Sequence, residues 1–287
     1  ETKTHLSALA TQCLLYEISL SPKPGLVDKL GSGAHKDMDY YSFLNSTSSL
    51  SAFWSDLINL THSTVSENKI IVTEELRLIG IAMERTMLDF TSGVNTQKGA
   101  IFLIGMLVHV AAKLIFEGKA LTDAAIQKEL ISLNRENLDD ELLKANSTST
   151  HGKEIYEKYG NEMGGGIRKE LALGLPIVFG HALPLLKKHA EVDSDFLKSE
   201  HTAQPVLIKC LLKIISVNND SNILYRSNIE TLMQLQAMAN NCLKNDEDFN
   251  NYYKKLCEFC MDKYISPGGS ADLLAASIFI YQLQQTI

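Results

Sequence analysis

The chain has 287 residues, 45% of them hydrophobic, and a formal net charge of −7. That is enough apolar material for one large core or two smaller ones. The acidic balance argues against broad contact with nucleic acid or an anionic membrane, both of which need basic faces, so an anionic ligand must be met by locally placed cations or a metal.

From the amino end, Leu6, Leu9, Cys13 and Leu14 recur at helical spacing, and Glu17 extends the stripe by one turn. An acid in that position is either a half-exposed helix-end group or a ligand; the residues alone leave both open. SPKPGLVDKLGSGAHKDMDYYSF follows at 21–43. Its prolines and glycines set rigid turns around Lys23, Asp28, His35, Lys36, Asp37 and Asp39, a density suited to a functional loop rather than a solvated linker. Together with Glu17, the carboxylates of Asp28, Asp37 and Asp39 offer oxygen ligands for a hard cation. Mg²⁺ takes one or two carboxylates, waters and substrate phosphates.

A second stripe comprises Leu76, Ile79, Ala82 and Met83. TSGVNTQKGA (91–100) then runs into the apolar segment IFLIGML. Gly93 and Gly99 allow close backbone approach, and Asn95 or Thr96 can cap the helix. A helix amino terminus with Lys98 beside it is a natural anion site, although an ordinary capped helix start reads equally well. The apolar run from Gly99 to Phe116 contains His109 and Lys113 and is expected to be a buried helix rather than a membrane span.

Helical patterns continue over roughly 123–146, 153–163, 168–190, 203–217, 228–243, 248–264 and 271–285. STSTHGKEIYEKYGNEMGGGIRKELALGLP (147–176) places His151 before a glycine and the run Gly164, Gly165, Gly166 just before Arg168. Such a run exposes backbone amides to an anion; a flexible hinge is the alternative. NDSNILYR (219–226) sets Asp220 and Asn222 ahead of Arg226. In SPGGSADLLAA (266–276), Ser270 suits an N-cap and Asp272 suits the positive helix end. That structural reading suffices for both, though Asp272 could equally face a metal.

No alternating β-branched run, internal repeat or low-complexity linker is found. The expected fold is all-α, as one domain over residues 1–287. The common phosphate signatures, G-x-x-x-x-G-K-[ST] and a strand-borne G-x-G-x-x-G, are missing. The five cysteines are spaced too irregularly for a disulfide framework, and Cys257 and Cys260 read as half-buried helical thiols. No signal peptide is read at the amino end, and a cytoplasmic location is expected.

Taken in order, PKPGLVD with GAHKDMD, then GVNTQKGAIF, then HG…GGGIRKE…GLP, then PGGSADLLA resemble the triphosphoribosyl-dephospho-CoA synthase family. The resemblance covers nearly the whole chain, from Glu17 to Leu274. The chain departs from the family pattern at Gln97, where members commonly carry histidine. It also departs at Ile167, at Lys169 and Glu170, and at Ser227 and Asn228.

The resemblance implies transfer of the 5-triphosphoribosyl group of ATP to the ribose 2′-hydroxyl of 3′-dephospho-CoA, with adenine leaving and Mg²⁺ as cofactor. The product is the prosthetic-group precursor of citrate lyase or malonate decarboxylase. Machinery that loads the acyl carrier subunit of either would then be a partner. Glycosyl transfer of this kind passes through an oxocarbenium-like state at the ribose C1. On this reading Lys23, Lys98 and Arg168 are expected at the phosphates, with Gly25, Asn95, Thr96, Gly165 and Arg226 beside substrate. Glu17, Asp28 and Asp37 are expected to meet at the metal, with Asp39 and Asp272 as further ligands. His35, oriented by Asp37, is the expected base for the acceptor hydroxyl, and His151 is the alternative; His35 bonding only loop backbone is the plainer reading. Two rival functions use the same loops: metal-dependent hydrolysis of ADP-ribose-type N-glycosides, and nucleotide binding by an assembly factor without chemistry.

Overall fold

Apolar residues at helical spacing fold as expected. The computed structural model describes residues 2–67, 73–144, 155, 158–160 and 163–286, the side chains of 134–144 excepted. Among these residues there are thirteen α-helices and no strand beyond one isolated bridge. In chain order they are α1 (Thr2–Ser19), α2 (Tyr40–Ser51), α3 (Trp54–Ser66), α4 (Thr73–Phe90), α5 (Lys98–Phe116), α6 (Asp123–Lys144) and α7 (Gly166–Ala172). There follow α8 (Leu183–Ala190), α9 (Glu200–Ile215), α10 (Ser221–Arg226), α11 (Ile229–Lys244), α12 (Phe249–Asp262) and α13 (Gly268–Thr286).

Helix α13 is the axis. It packs on α1, α5, α8 and α9, and Leu273, Leu274, Ile278, Phe279 and Ile280 are all buried. A helix that is apolar around its whole circumference belongs inside a core. Burying each of these larger side chains contributes roughly 1.5–3 kcal/mol. Helix α5 is the second buried rod, packed between α3 and α13. By length and composition it would suit a membrane span, but Leu103, Ile104, Leu107, Val108, Ala111 and Ala112 are buried in this core.

Two departures from the sequence reading have physical causes. The stretch 168–190 is not one helix. Helix α7 stops at Ala172, Gly174 and Leu175 take φ of 74° and 58°, and Pro176 follows. A left-handed glycine followed by proline ends a helix. The chain resumes through a π-turn at Val178–Ala182 into α8. Helices α2 and α3 are additional to the sequence reading. YYSFLNSTSSLS carries no apolar stripe, since the residues α2 buries are Ser46, Thr47, Ser49 and Leu50; α3 does carry one, in Trp54, Leu57 and Ile58. Small hydroxyl residues pack α2 against α1 and α4, and tertiary contacts override weak propensity.

The fold brings the amino ends of α5, α7, α10 and α13 together, and the loop 21–39 is bonded beside them through His35.

Candidate active site

At the centre stands Asp220, 2% exposed. One carboxylate ties two helix starts together. Its oxygens accept from the backbone N–H of Asn222 (3.0 Å) in α10, and from Gly269 (3.3 Å) and Ser270 (2.8 Å) in α13. The Ser270 hydroxyl donates to it as well, at 2.9 Å, while accepting from Asn218 Nδ2. Ser270 is therefore not the cap of α13, which begins two residues earlier; it is a ligand of the true cap. Burial raises the Asp220 pKa, and these hydrogen bonds oppose the rise.

One turn further into α13, Asp272 points at the amino end of α5. A Cβ at Gly99 would overlap Asp272 Oδ2 and lie 3.1 Å from its Cγ and 3.3 Å from Ile167 Cδ1. Glycine at 99 is what lets the carboxylate sit against the first turn of α5. Asp272 is enclosed by protein yet keeps part of its surface open. Burial, then the charges of Glu17 and Asp220, push its pKa well above the usual carboxylate range. Unlike Asp220, it accepts no hydrogen bond from a described residue.

The loop 21–39 is locked to this region. A Cβ on Gly25, at φ 66°, would overlap the Ile265 carbonyl oxygen and lie 2.9 Å from Cys260 Cβ, so no side chain fits. Asp28 accepts from Lys23 N and Leu30 N, both at 2.7 Å. Lys23 is buried and its ammonium pairs with Glu17, also buried. His35 Nε2 lies 2.9 Å from Ser266 Oγ, and Nδ1 lies 3.2 Å from Arg226 Nη2. Arginine only donates, so Nδ1 is the acceptor and Nε2 carries the proton toward Ser266. Burial first, and Arg226 second, lower the His35 pKa to about 4, with Asp37 opposing; the ring is neutral near pH 7. Arg226 Nη1 also donates to the Ala34 carbonyl at 3.1 Å.

At the start of α5, Asn95 Oδ1 accepts from Lys98 N (3.2 Å), and Thr96 Oγ1 is buried with no hydrogen-bond partner among the described residues. The Lys98 ammonium reaches outward to Glu84 at 2.6 Å. Arg168, in α7, lies over the Phe102 ring at 5.7 Å, on the first turns of α5. Gly165 precedes α7, and Gly166 brings that backbone to Ser221 of α10. A cavity of about 150 Å³ adjoins this junction, lined by Met163, Gly166, Lys169, Glu170, Asn218 and Asn219 among others. A larger groove, about 680 Å³, lies elsewhere, between α9 and α12, and includes His201, Gln204, Lys209 and Phe249.

The segments singled out in the sequence thus meet at one place, around the amino end of α13. The family model for CitG, ATP:dephospho-CoA triphosphoribosyl transferase, matches residues 3–287. The chain belongs to this family. It is a transferase enzyme. A probable 2-(5''-triphosphoribosyl)-3'-dephosphocoenzyme-A synthase of Citrobacter koseri is 33% identical over 96% of this chain and 90% of its own length. A probable synthase of the same name from Streptococcus mutans is 32% identical over 100% and 99%. The synthase of that name from Pectobacterium atrosepticum is 32% identical over 93% and 85%. No solved structure matches.

Within this family member, several expected site residues stand apart from the roles assigned to them. Among the described residues no three His, Cys, Asp or Glu converge as a metal cage, so Glu17, Asp28 and Asp37 do not assemble as expected. Each is occupied or displaced: Glu17 neutralises Lys23, Asp28 fixes turns, and the Asp37 side chain is 64% exposed beside His35. Asp39 closes a capping box with Ser42 at the start of α2. Lys23 for the same reason is not a free phosphate cation. His151 lies outside the described residues. Conversely, Asp220 and Ser266 were passed over as site residues. The clue to Asp220 was an Asp two residues before an Asn at a helix start.

Gln97 has a clear place. Its side-chain oxygen accepts from Ser46 Oγ (2.7 Å) and Thr47 Oγ1 (3.2 Å), tying α2 to the start of α5. It is 4% exposed and supports the site from behind.

Proposed function

We propose that the chain, as one domain, transfers the 5-triphosphoribosyl group of ATP to the ribose 2′-hydroxyl of 3′-dephospho-CoA with release of adenine. The observation that carries this reading is the convergence at the amino end of α13, where the Asp272 carboxyl faces the amino end of α5 across Gly99. The N–H groups at the starts of α10 and α13 are engaged by Asp220, so the amino end of α5, with its helix dipole, is the end offered to phosphate. In an acidic protein such a helix end is an economical way to hold a triphosphate. Arg168 adds a fixed guanidinium at the first turns of α5.

The donor set fits a divalent cation arriving with the triphosphate. Asp272 is a partly open carboxyl group that meets no hydrogen-bond donor among the described residues, and Glu17 and Asp220 crowd it. A cation would relieve that repulsion, and Mg²⁺ needs only one or two carboxylates when phosphates complete its shell. A bound Mg²⁺ would supply positive charge against the triphosphate. The chain's own groups do the rest. Asp220 fixes the helix starts, Gly99 leaves room for Asp272, and Asn95 and Thr96 shape the turn before α5.

His35 is the proposed acceptor of the 2′-hydroxyl proton, under one condition. In the free protein its Nδ1 lone pair is held by Arg226. A substrate phosphate that draws Arg226 away frees that lone pair, so the base is armed only when substrate is present. We place the reaction in the cytoplasm, supplying the prosthetic-group precursor of citrate lyase or malonate decarboxylase.

Adenine release, followed chromatographically, tests the assignment. With ATP and Mg²⁺ it should require dephospho-CoA, and the acceptor should gain one triphosphoribosyl unit in mass. Adenine formed from ATP alone would point to the hydrolase; nucleotide binding without adenine would point to the assembly factor.

A further inference from the structure

Tyr264 sits in a conformation that suits glycine. Helix α12 ends at Asp262 with Lys263 as its cap. Tyr264 N–H then donates to Met261 O (3.1 Å) and Ile265 N–H to Cys260 O (3.0 Å). This is the paired hydrogen-bond pattern of a Schellman ending, whose left-handed position glycine normally fills because a Cβ is disfavoured there. Here that position, at φ 52°, holds a tyrosine. The ring contributes little to the core, since Tyr264 is 63% exposed. Backbone strain kept around a solvent-facing aromatic needs a compensating use.

Its neighbours indicate that use. The Lys36 ammonium lies 5.6 Å from the ring centroid, within cation–π range. Lys36 adjoins His35, and Ser266, two residues after Tyr264, is the His35 partner. An open aromatic face and a cation are therefore presented together at the rim of the candidate active site. An aromatic face accepts a nucleobase by stacking, and the ammonium suits the attached phosphate.

We propose that Tyr264, backed by Lys36, is a stacking platform for the adenine ring of a nucleotide bound at this site. The proposal rests on the transferase reading only for the identity of the nucleotides, since ATP and dephospho-CoA both carry adenine. Lys36 occupies one side of the ring, the base covers the exposed side, and the Schellman turn fixes the backbone from which the ring projects.

The test uses the full chain with Tyr264→Gly and Tyr264→Phe. Calorimetry with ATP, dephospho-CoA and inorganic tripolyphosphate reads binding independently of turnover. Tyr264→Gly should keep or raise the melting temperature, because glycine relieves the backbone. It should weaken one adenine nucleotide by about ten-fold or more and leave tripolyphosphate unchanged; the nucleotide that weakens identifies the base. Tyr264→Phe should bind like the parent. Unchanged affinity for both nucleotides in Tyr264→Gly overturns the proposal. So does a marked fall in melting temperature, which would make the ring structural, or a loss in Tyr264→Phe equal to that in Tyr264→Gly. Failure of the parent protein to release adenine would contradict the transferase reading without touching these binding results.

Discussion

Replacing Gly99 by alanine should cut turnover by about 10²-fold or more, the scale expected when a reacting group is displaced by an ångström, while the protein stays folded. The new Cβ would overlap Asp272 Oδ2 and press on Ile167 Cδ1 at 3.3 Å. A carboxylate end can swing aside, whereas the buried backbones of α5 and α13 cannot. The clash therefore falls on the position of Asp272. Stability changes little, because alanine's helix propensity, worth about 1 kcal/mol over glycine, offsets part of the crowding. Asp272→Asn, which keeps the volume and removes the charge, should lose turnover similarly. Steady-state kinetics beside a thermal melt check both. A folded Gly99→Ala protein with near-parental turnover would remove Asp272 from the reaction.

Asp220→Ala should destabilise the fold by about 3–5 kcal/mol, the range for leaving several buried donors unpaired. Three backbone N–H groups and the Ser270 hydroxyl lose their acceptor at once. The starts of α10 and α13 would part, and with them Arg226 and Asp272. Asp220→Asn should be milder, since its carbonyl oxygen still accepts, but its amide would face the N–H groups that a carboxylate satisfies. Urea unfolding measures both variants. A loss below about 1 kcal/mol for Asp220→Ala, within the worth of a single ordinary hydrogen bond, would mean that water replaces the carboxylate and that the site is not held by this residue.

Much of the fold was legible because its inner helices advertise themselves. The long apolar run of α5 could hardly be anything other than a buried rod or a membrane span, and His109 and Lys113 favoured the former. Helix α2 was not legible: its inward face is Ser46, Thr47 and Ser49, residues whose packing depends on partners far away in sequence. The segments of the site were legible as turn-rich, titratable patches, and their meeting place follows from the helix starts they form. The individual roles were harder to see. Glu17 and Lys23 both looked available until each was found to neutralise the other. Asp39 looked like a ligand and is a helix cap. A carboxylate in a loop satisfies backbone N–H groups or binds a cation, and only its neighbours in space decide which. Asp272 accepts no hydrogen bond from a described residue and is crowded by Glu17 and Asp220, a fact that sequence spacing does not carry.

The most direct measurement is a crystal structure of the complex with Mg²⁺ and a non-reactive ATP analogue. The triphosphate should lie against the amino end of α5, beside Asp272, with Arg226 drawn away from His35. A nucleotide lodged instead in the groove between α9 and α12, against His201, Lys209 and Phe249, with Asp272 and Arg226 unmoved, would contradict the account.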